Sequence, residues 1–154
     1  MEEIVTFINY NDIFDIFIEK EEESIEIYNT FARMSENMEL RKTFEQFVRY
    51  GMAHITELRN KREQYPGGNF SNSISVKINQ ISHESINFKI MAYRDILEFA
   101  IEIEKRSELL YHDMANQVND EEVKKLFLKN SEEERRQRLR IEKMLSFEDS
   151  DSNI

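Results

Sequence analysis

Apolar residues recur every three or four positions through most of the chain, the period of helices that bury one face. Four such stretches predict helices over 11–35, 38–64, 91–118 and 120–146. The joins from Ser35 to Asn37 and from Asn119 to Asp120 are so short that the helices flanking each must run antiparallel. Between the second and third helices, YPGGNFSNSISVKINQISHESINF holds the only proline and two of the three glycines, among serines and asparagines that favour turns. It reads as a long crossover over about 65–90. Two hairpins joined in this way predict an all-α, antiparallel four-helix bundle, one domain over 1–146. The acidic stretch 147–154 is too short and polar for a fifth packed helix and is expected to fray as a flexible tail.

An internal repeat sets the register. Glu21 and Tyr28 of the first helix match Glu104 and Tyr111 of the third, each pair separated by the same 83 positions, with Phe14, Ile18 and Ala32 matching Leu97, Ile101 and Ala115. At that offset Leu40, Phe44, Gly51, His54 and Leu58 of the second helix match Val123, Phe127, Glu134, Gln137 and Ile141 of the fourth. The hairpins look like copies of one unit. At about 100° per residue, Glu21 falls inside the stripe of Phe14, Phe17, Ile18, Ile25 and Tyr28, and Glu104 inside that of Leu97, Ala100, Ile101 and Tyr111. His54 shares a face with Phe44, Phe47 and Leu58, while Glu134 and Gln137 interrupt the apolar face of the fourth helix. Polar groups from all four helices therefore converge on the core at a similar level.

Composition narrows what such a core can do. The chain has 40% hydrophobic and 34% charged residues, and no cysteine, so disulfides, thiolate zinc sites and a built-in rubredoxin-type iron centre are excluded from it. Any electron donor must be external. A net charge of −10 disfavours nucleic acid and anionic membranes, and Arg135, Arg136, Arg138 and Arg140 read as a solvated face answering Glu132, Glu133 and Glu142. No apolar run approaches the roughly 18 residues of a membrane span, and the first residues are acidic where a secretory signal is basic, so a cytoplasmic location is expected. The seven methionines read as core filler.

Burying unpaired carboxylates is costly, so three of them with an imidazole call for a shared cation or shared protons. Oxygen and imidazole donors without thiolate suit iron, manganese or zinc. The stretches EFAIEIEKRSELLYHDMA and LFLKNSEEE resemble the third and fourth helices of the rubrerythrin-like, diiron-carboxylate branch of the ferritin-like superfamily. The resemblance covers about 14–146. It implies Glu21 and Glu104 as terminal carboxylates, His54 as the first imidazole and Glu134 as a bridging carboxylate. Gly51 stands where the pattern has a glutamate and Gln137 where it has a histidine, which implies one good metal position and one poor one. Glu108, four residues after Glu104, is a candidate replacement ligand, Gln137 a weak amide ligand, and Gly51 is expected to leave open room beside the metal.

Tyr28 and Tyr111 are read as packing groups that also hydrogen-bond the carboxylates, and Gln137 and Asn130 as partners of each other. The resemblance implies a rubrerythrin-like iron protein reducing peroxide or dioxygen with an external electron donor, acting as a homodimer. No catalytic residue is assigned. The alternative is a degenerate bundle serving as a non-catalytic interaction or assembly module, with protons in place of metal. Ile27, Leu109 and Leu110, off the main stripes, are the apolar residues expected at the surface for dimerisation.

Overall fold

The computed structural model describes residues 2–65, 69–79 and 86–152. Its elements are a strand β1 (Glu2–Asn9), helices α1 (Tyr10–Met34) and α2 (Met38–Gln64), a strand β2 (Asn69–Asn79), a 3₁₀ turn (Phe88–Ile90), and helices α3 (Tyr93–Gln117) and α4 (Glu121–Ser152). The expected four helices form as antiparallel hairpins, α1 with α2 and α3 with α4. The architecture is an all-α four-helix bundle carrying one short ribbon.

Local chemistry sets the helix ends. Asn9 and Asn37 accept hydrogen bonds from the backbone N–H groups of Asp12 and Leu40 at 2.9 and 3.0 Å, capping α1 and α2. Asp120 accepts from Glu122 and Val123 at 3.0 Å to open α4. Between α1 and α2, Arg41 donates to the carbonyls of Ala32 and Ser35 at 3.1 Å, satisfying acceptors that the end of α1 leaves open.

Two findings differ from the sequence reading. The crossover is not wholly irregular: β2 pairs antiparallel with β1, with Val5 opposite Val76 and Phe7 opposite Ile74. Phe7, Ile74, Val76 and Ile78 alternate onto the buried face and join the core formed by Phe14, Phe17, Met114 and Phe127. A lone two-stranded ribbon is marginal in water, so this packing is what stabilises it. Crossover residues 66–68 and 80–85 lie outside the described residues. The second difference is α4, which continues to Ser152, past the expected limit of 146. Tyr93, Met144 and Leu145 pack against a second core cluster that includes Phe31, Leu40, Phe44 and Ile141, and Asp149 pairs with Arg94 near the start of α3, so the acidic stretch has a cationic neighbour to lie against. Residues 153 and 154 of the expected tail lie outside the described residues.

The core has two apolar halves. One joins the ribbon to Phe14, Phe17, Leu58, Met114, Val123 and Phe127. The other gathers Phe31, Leu40, Phe44, Phe47, Leu97 and Ile141. Ile27, expected at the surface, is only 2% exposed within the second half, whereas Leu109 is 52% exposed as expected. Between the halves lies a buried polar layer of Glu21, His54, Glu104, Glu134 and Gln137.

Phe127 meets Phe14, Phe17 and Tyr111 with ring centroids 6.0, 4.8 and 6.0 Å away. Phe127→Ala is expected to lower unfolding free energy by about 3–5 kcal/mol. Phe147→Ala, at a 64% exposed position, should change it by less than about 0.5 kcal/mol. Urea denaturation of both variants measures the contrast.

Candidate metal centre

Each hairpin contributes one carboxylate and one tyrosine on its first helix, and the pairs cross over. Tyr111 of α3 donates to Glu21 Oε1 of α1 at 2.8 Å, while Tyr28 of α1 donates to Glu104 Oε1 of α3. The repeated Glu-x6-Tyr spacing thus ties the two hairpins together across the core. Burial, followed by the adjacent carboxylate, pushes both phenols well above their usual range, so they stay protonated and act as donors.

His54 of α2 is 1% exposed and touches carboxylates through both ring nitrogens. Its Nδ1 lies 3.0 Å from Glu21 Oε1 and 3.5 Å from Glu134 Oε1, and its Nε2 contacts Glu133. Burial alone would favour the neutral ring, but hydrogen bonding to Glu134 and Glu21 and their charge outweigh it and raise the imidazole to about 11. His54 is therefore a buried imidazolium in the metal-free protein.

The three core carboxylates divide their protons unequally. Burial, reinforced by the charge of Glu134, raises Glu21 to about 7. The same two causes hold Glu104 well above the carboxylate range. Burial also pushes Glu134 upward, but hydrogen bonds from Glu104 and His54 outweigh it and keep Glu134 ionised. The layer is a coupled system in which a protonated Glu104 faces an ionised Glu134. Gln137 is oriented by the same neighbour: with its NH₂ turned to Glu104, it donates to both carboxyl oxygens at 3.1 Å. The expected bond between Gln137 and Asn130 does not form. The buried Asn130 amide has no hydrogen-bond partner of good geometry and lies beside Tyr111.

The donor set fits a cation. Glu21, His54 and Glu134 each aim one ligand atom at a common region, all within 4.8 Å of one another, near the span of ligands about 2 Å from a shared ion. Two carboxylates and one imidazole suit a divalent metal such as iron. Glu104 lies beside this trio, closed off by Tyr28 and Gln137.

The second half of the site differs from expectation at Gly51 and Glu108. Gly51 does not open a space, because Ile25 of α1 fills it: a Cβ on Gly51 would stand 2.8 Å from Ile25 Cγ1. What remains among Glu21, Gly51, Glu104, Glu134 and Gln137 is a cavity of about 10 Å³, at the lower limit for one water. Glu108 does not join the cluster, since Arg138 holds it at 2.9 Å. Gln137 lies against the Glu104 carboxyl, and with its amide turned so that the NH₂ faces that carboxyl it acts as a hydrogen-bond donor.

Glu133 is the site residue that the sequence reading missed, having been placed on the solvated face. From the edge of that face, still 32% exposed, it reaches in to contact His54 Nε2, while Glu132 answers Arg135 and Arg136 at 3.3 and 3.8 Å. Its only sequence signal was adjacency to Glu134 along a helix, too weak to separate it from the surrounding glutamates. A carboxylate on one imidazole nitrogen fixes the ring and leaves the other to face a metal.

Comparison with known proteins supports the architecture. The chain matches a crystal structure named as a ferritin-like diiron-carboxylate protein from Thermotoga maritima, with a TM-score of 0.71 and 21% sequence identity, over 90% of this chain and 95% of that one. The fold is therefore that of the ferritin-like four-helix bundles. No family model and no curated protein matches the chain. No helix among the described residues is long and apolar enough to cross a membrane.

Two predictions follow from the layer. Gly51→Ala forces Ile25 to shift and should destabilise the protein by about 1–3 kcal/mol, with Ile25→Ala in the same chain relieving part of the loss, as read by thermal unfolding. The second concerns pH. Glu21 and His54 both carry raised values, so the folded metal-free protein holds more protons than the unfolded chain above pH 4.5. The contribution of His54 is fully present below 6.5 and disappears as pH rises through about 11. Stability should fall between pH 6 and 9 by about 1.4 kcal/mol per pH unit for each extra proton held, and His54→Gln should flatten that slope in urea titrations.

Proposed function

We propose that the bundle binds one divalent metal ion, iron before manganese or zinc, on Glu21, His54 and Glu134, as a rubrerythrin-like protein in which the second metal position is closed. The observation that carries this reading is the convergence of those three buried groups beside a half-site filled by Ile25. Glu133 holds His54 Nε2 and turns Nδ1 toward the ion. Tyr111 orients Glu21 by donating to Oε1, and Tyr28 with Gln137 holds Glu104 aside. Metal binding displaces the proton on His54 Nδ1 and the one that Glu21 retains below about pH 7, so affinity rises with pH. A bound ferrous ion would supply one electron at a time; peroxide needs two and dioxygen four to reach water, so an external donor would deliver the remainder through the same ion. Glu104 keeps a proton against Glu134 as a buried acid within the same layer.

One observation favours a second reading. With carboxylates on both ring nitrogens, the His54 imidazolium already neutralises part of the layer. A metal-free bundle could serve as an assembly or interaction module on that basis.

Anaerobic ferrous loading followed by elemental analysis separates the two. About one equivalent per chain is expected, lost in the His54→Ala, Glu134→Ala double variant, and Glu133→Ala should weaken binding about 10–100-fold. Two equivalents would show that the second position is open after all. None would leave the metal-free interaction module, and bound iron that peroxide oxidises no faster than ferrous ion free in the same buffer would leave metal binding without the redox activity.

A further inference from the structure

A cavity of about 250 Å³, separate from the small void in the polar layer, opens between α1, α3 and β2. That is far above the roughly 10–15 Å³ that one water requires, enough for a small organic molecule. Its walls are largely apolar, formed by Phe17, Ile27, Ile78, Ile103 and Leu110. Its inner lining includes Glu21 and Tyr111, both almost wholly buried, with Phe17 stacked on the Tyr111 ring at 4.2 Å and 3°.

Charge sets the direction in which a ligand would lie. Lys20, Lys77 and Arg106 also line the cavity, with Glu23 and Asp113 as its less buried acids. Three cations thus stand against three acids in the lining, one of them the buried Glu21, in a chain in which acids outnumber bases 31 to 21. Lys20 keeps Glu23 at 3.5 Å and Arg106 keeps Glu102 at 3.5 Å, separations at which a ligand anion can compete. At the inner end, the carboxyl of Glu21 disfavours a second anion. An anionic head would stay at the opening and an aliphatic body would run inward along Phe17 toward Tyr111.

We propose that this cavity is a binding site for a small amphipathic anion, a medium-chain carboxylate, with its head among Lys20, Lys77 and Arg106 and its chain ending beside Tyr111 and Glu21. The site does not depend on whether the polar layer holds a metal. Apolar walls carry the affinity through burial of the chain, and the rim cations select the charge.

The test uses octanoate, 1-octanol and octylamine with the metal-free full chain, followed by calorimetry and amide chemical shifts. Octanoate is expected to bind saturably at one per chain and to shift residues of α1, α3 and β2 around the cavity. Octanol and octylamine should bind at least tenfold more weakly. Arg106→Gln should weaken octanoate about tenfold, and Leu110→Trp should abolish its binding by filling the cavity. Ser107→Phe serves as a second filling variant should Leu110→Trp fail to fold by circular dichroism. No saturable binding of octanoate, binding that survives both filling variants, or octanol and octylamine binding as tightly as octanoate would each overturn the proposal.

Discussion

The structure depends on one constraint: five polar side chains sit in a layer between two apolar core halves, where each must be satisfied without bulk water. The His54 imidazolium answers it on one side by facing Glu21 and Glu134 through Nδ1 and Glu133 through Nε2. A retained proton answers it on the other, between Glu104 and Glu134. The tyrosines complete the account by crossing from each hairpin to the carboxylate of the other. This layer can exist only while both hairpins are docked, so it couples their association to its own chemistry. Removing one member would strand the rest, whereas a cation could take the place of protons without rearranging the helices.

The repeat explains the asymmetry of the site. In the second hairpin the matched pair is Glu108 and Glu134; in the first it is Ile25 and Gly51. Ile25 and Gly51 pack as a unit, the isoleucine occupying what a side chain at 51 would need. On the opposite side Arg138 removes Glu108 from the layer, and Gln137 caps Glu104 instead of offering a second imidazole. Each of these pairings is local, and together they leave one convergent set of donors, Glu21, His54 and Glu134, in the layer. The ferritin-like fold is retained because it rests on the apolar halves, which these substitutions do not touch.

Much of this was legible in the residues. Four helices, their pairing and the inward direction of Glu21, His54, Glu104, Glu134 and Gln137 follow from a period of 3.6 and from one offset shared by both halves. The ribbon was less legible, although Ile74, Val76 and Ile78 alternate as a strand should. A short alternating run among serines and asparagines has no preference strong enough to overcome a turn-rich setting, and its partner lies at the far end of the chain. The extension of α4 was hidden for a related reason. Its acidic end is unremarkable until Arg94 of another helix is brought beside Asp149.

The sequence by itself determined the bundle, its topology and the set of polar groups facing the core, because periodicity and repetition are properties of the chain read along its length. Tertiary structure decided which of those groups meet. It placed Ile25 in the space of Gly51, gave Glu108 to Arg138 and turned the half-buried Glu133 onto His54. The physical reason is that rotamer choice and pairing at a helix interface depend on distances of an ångström or two between different helices, and the spacing of residues within one helix does not contain them.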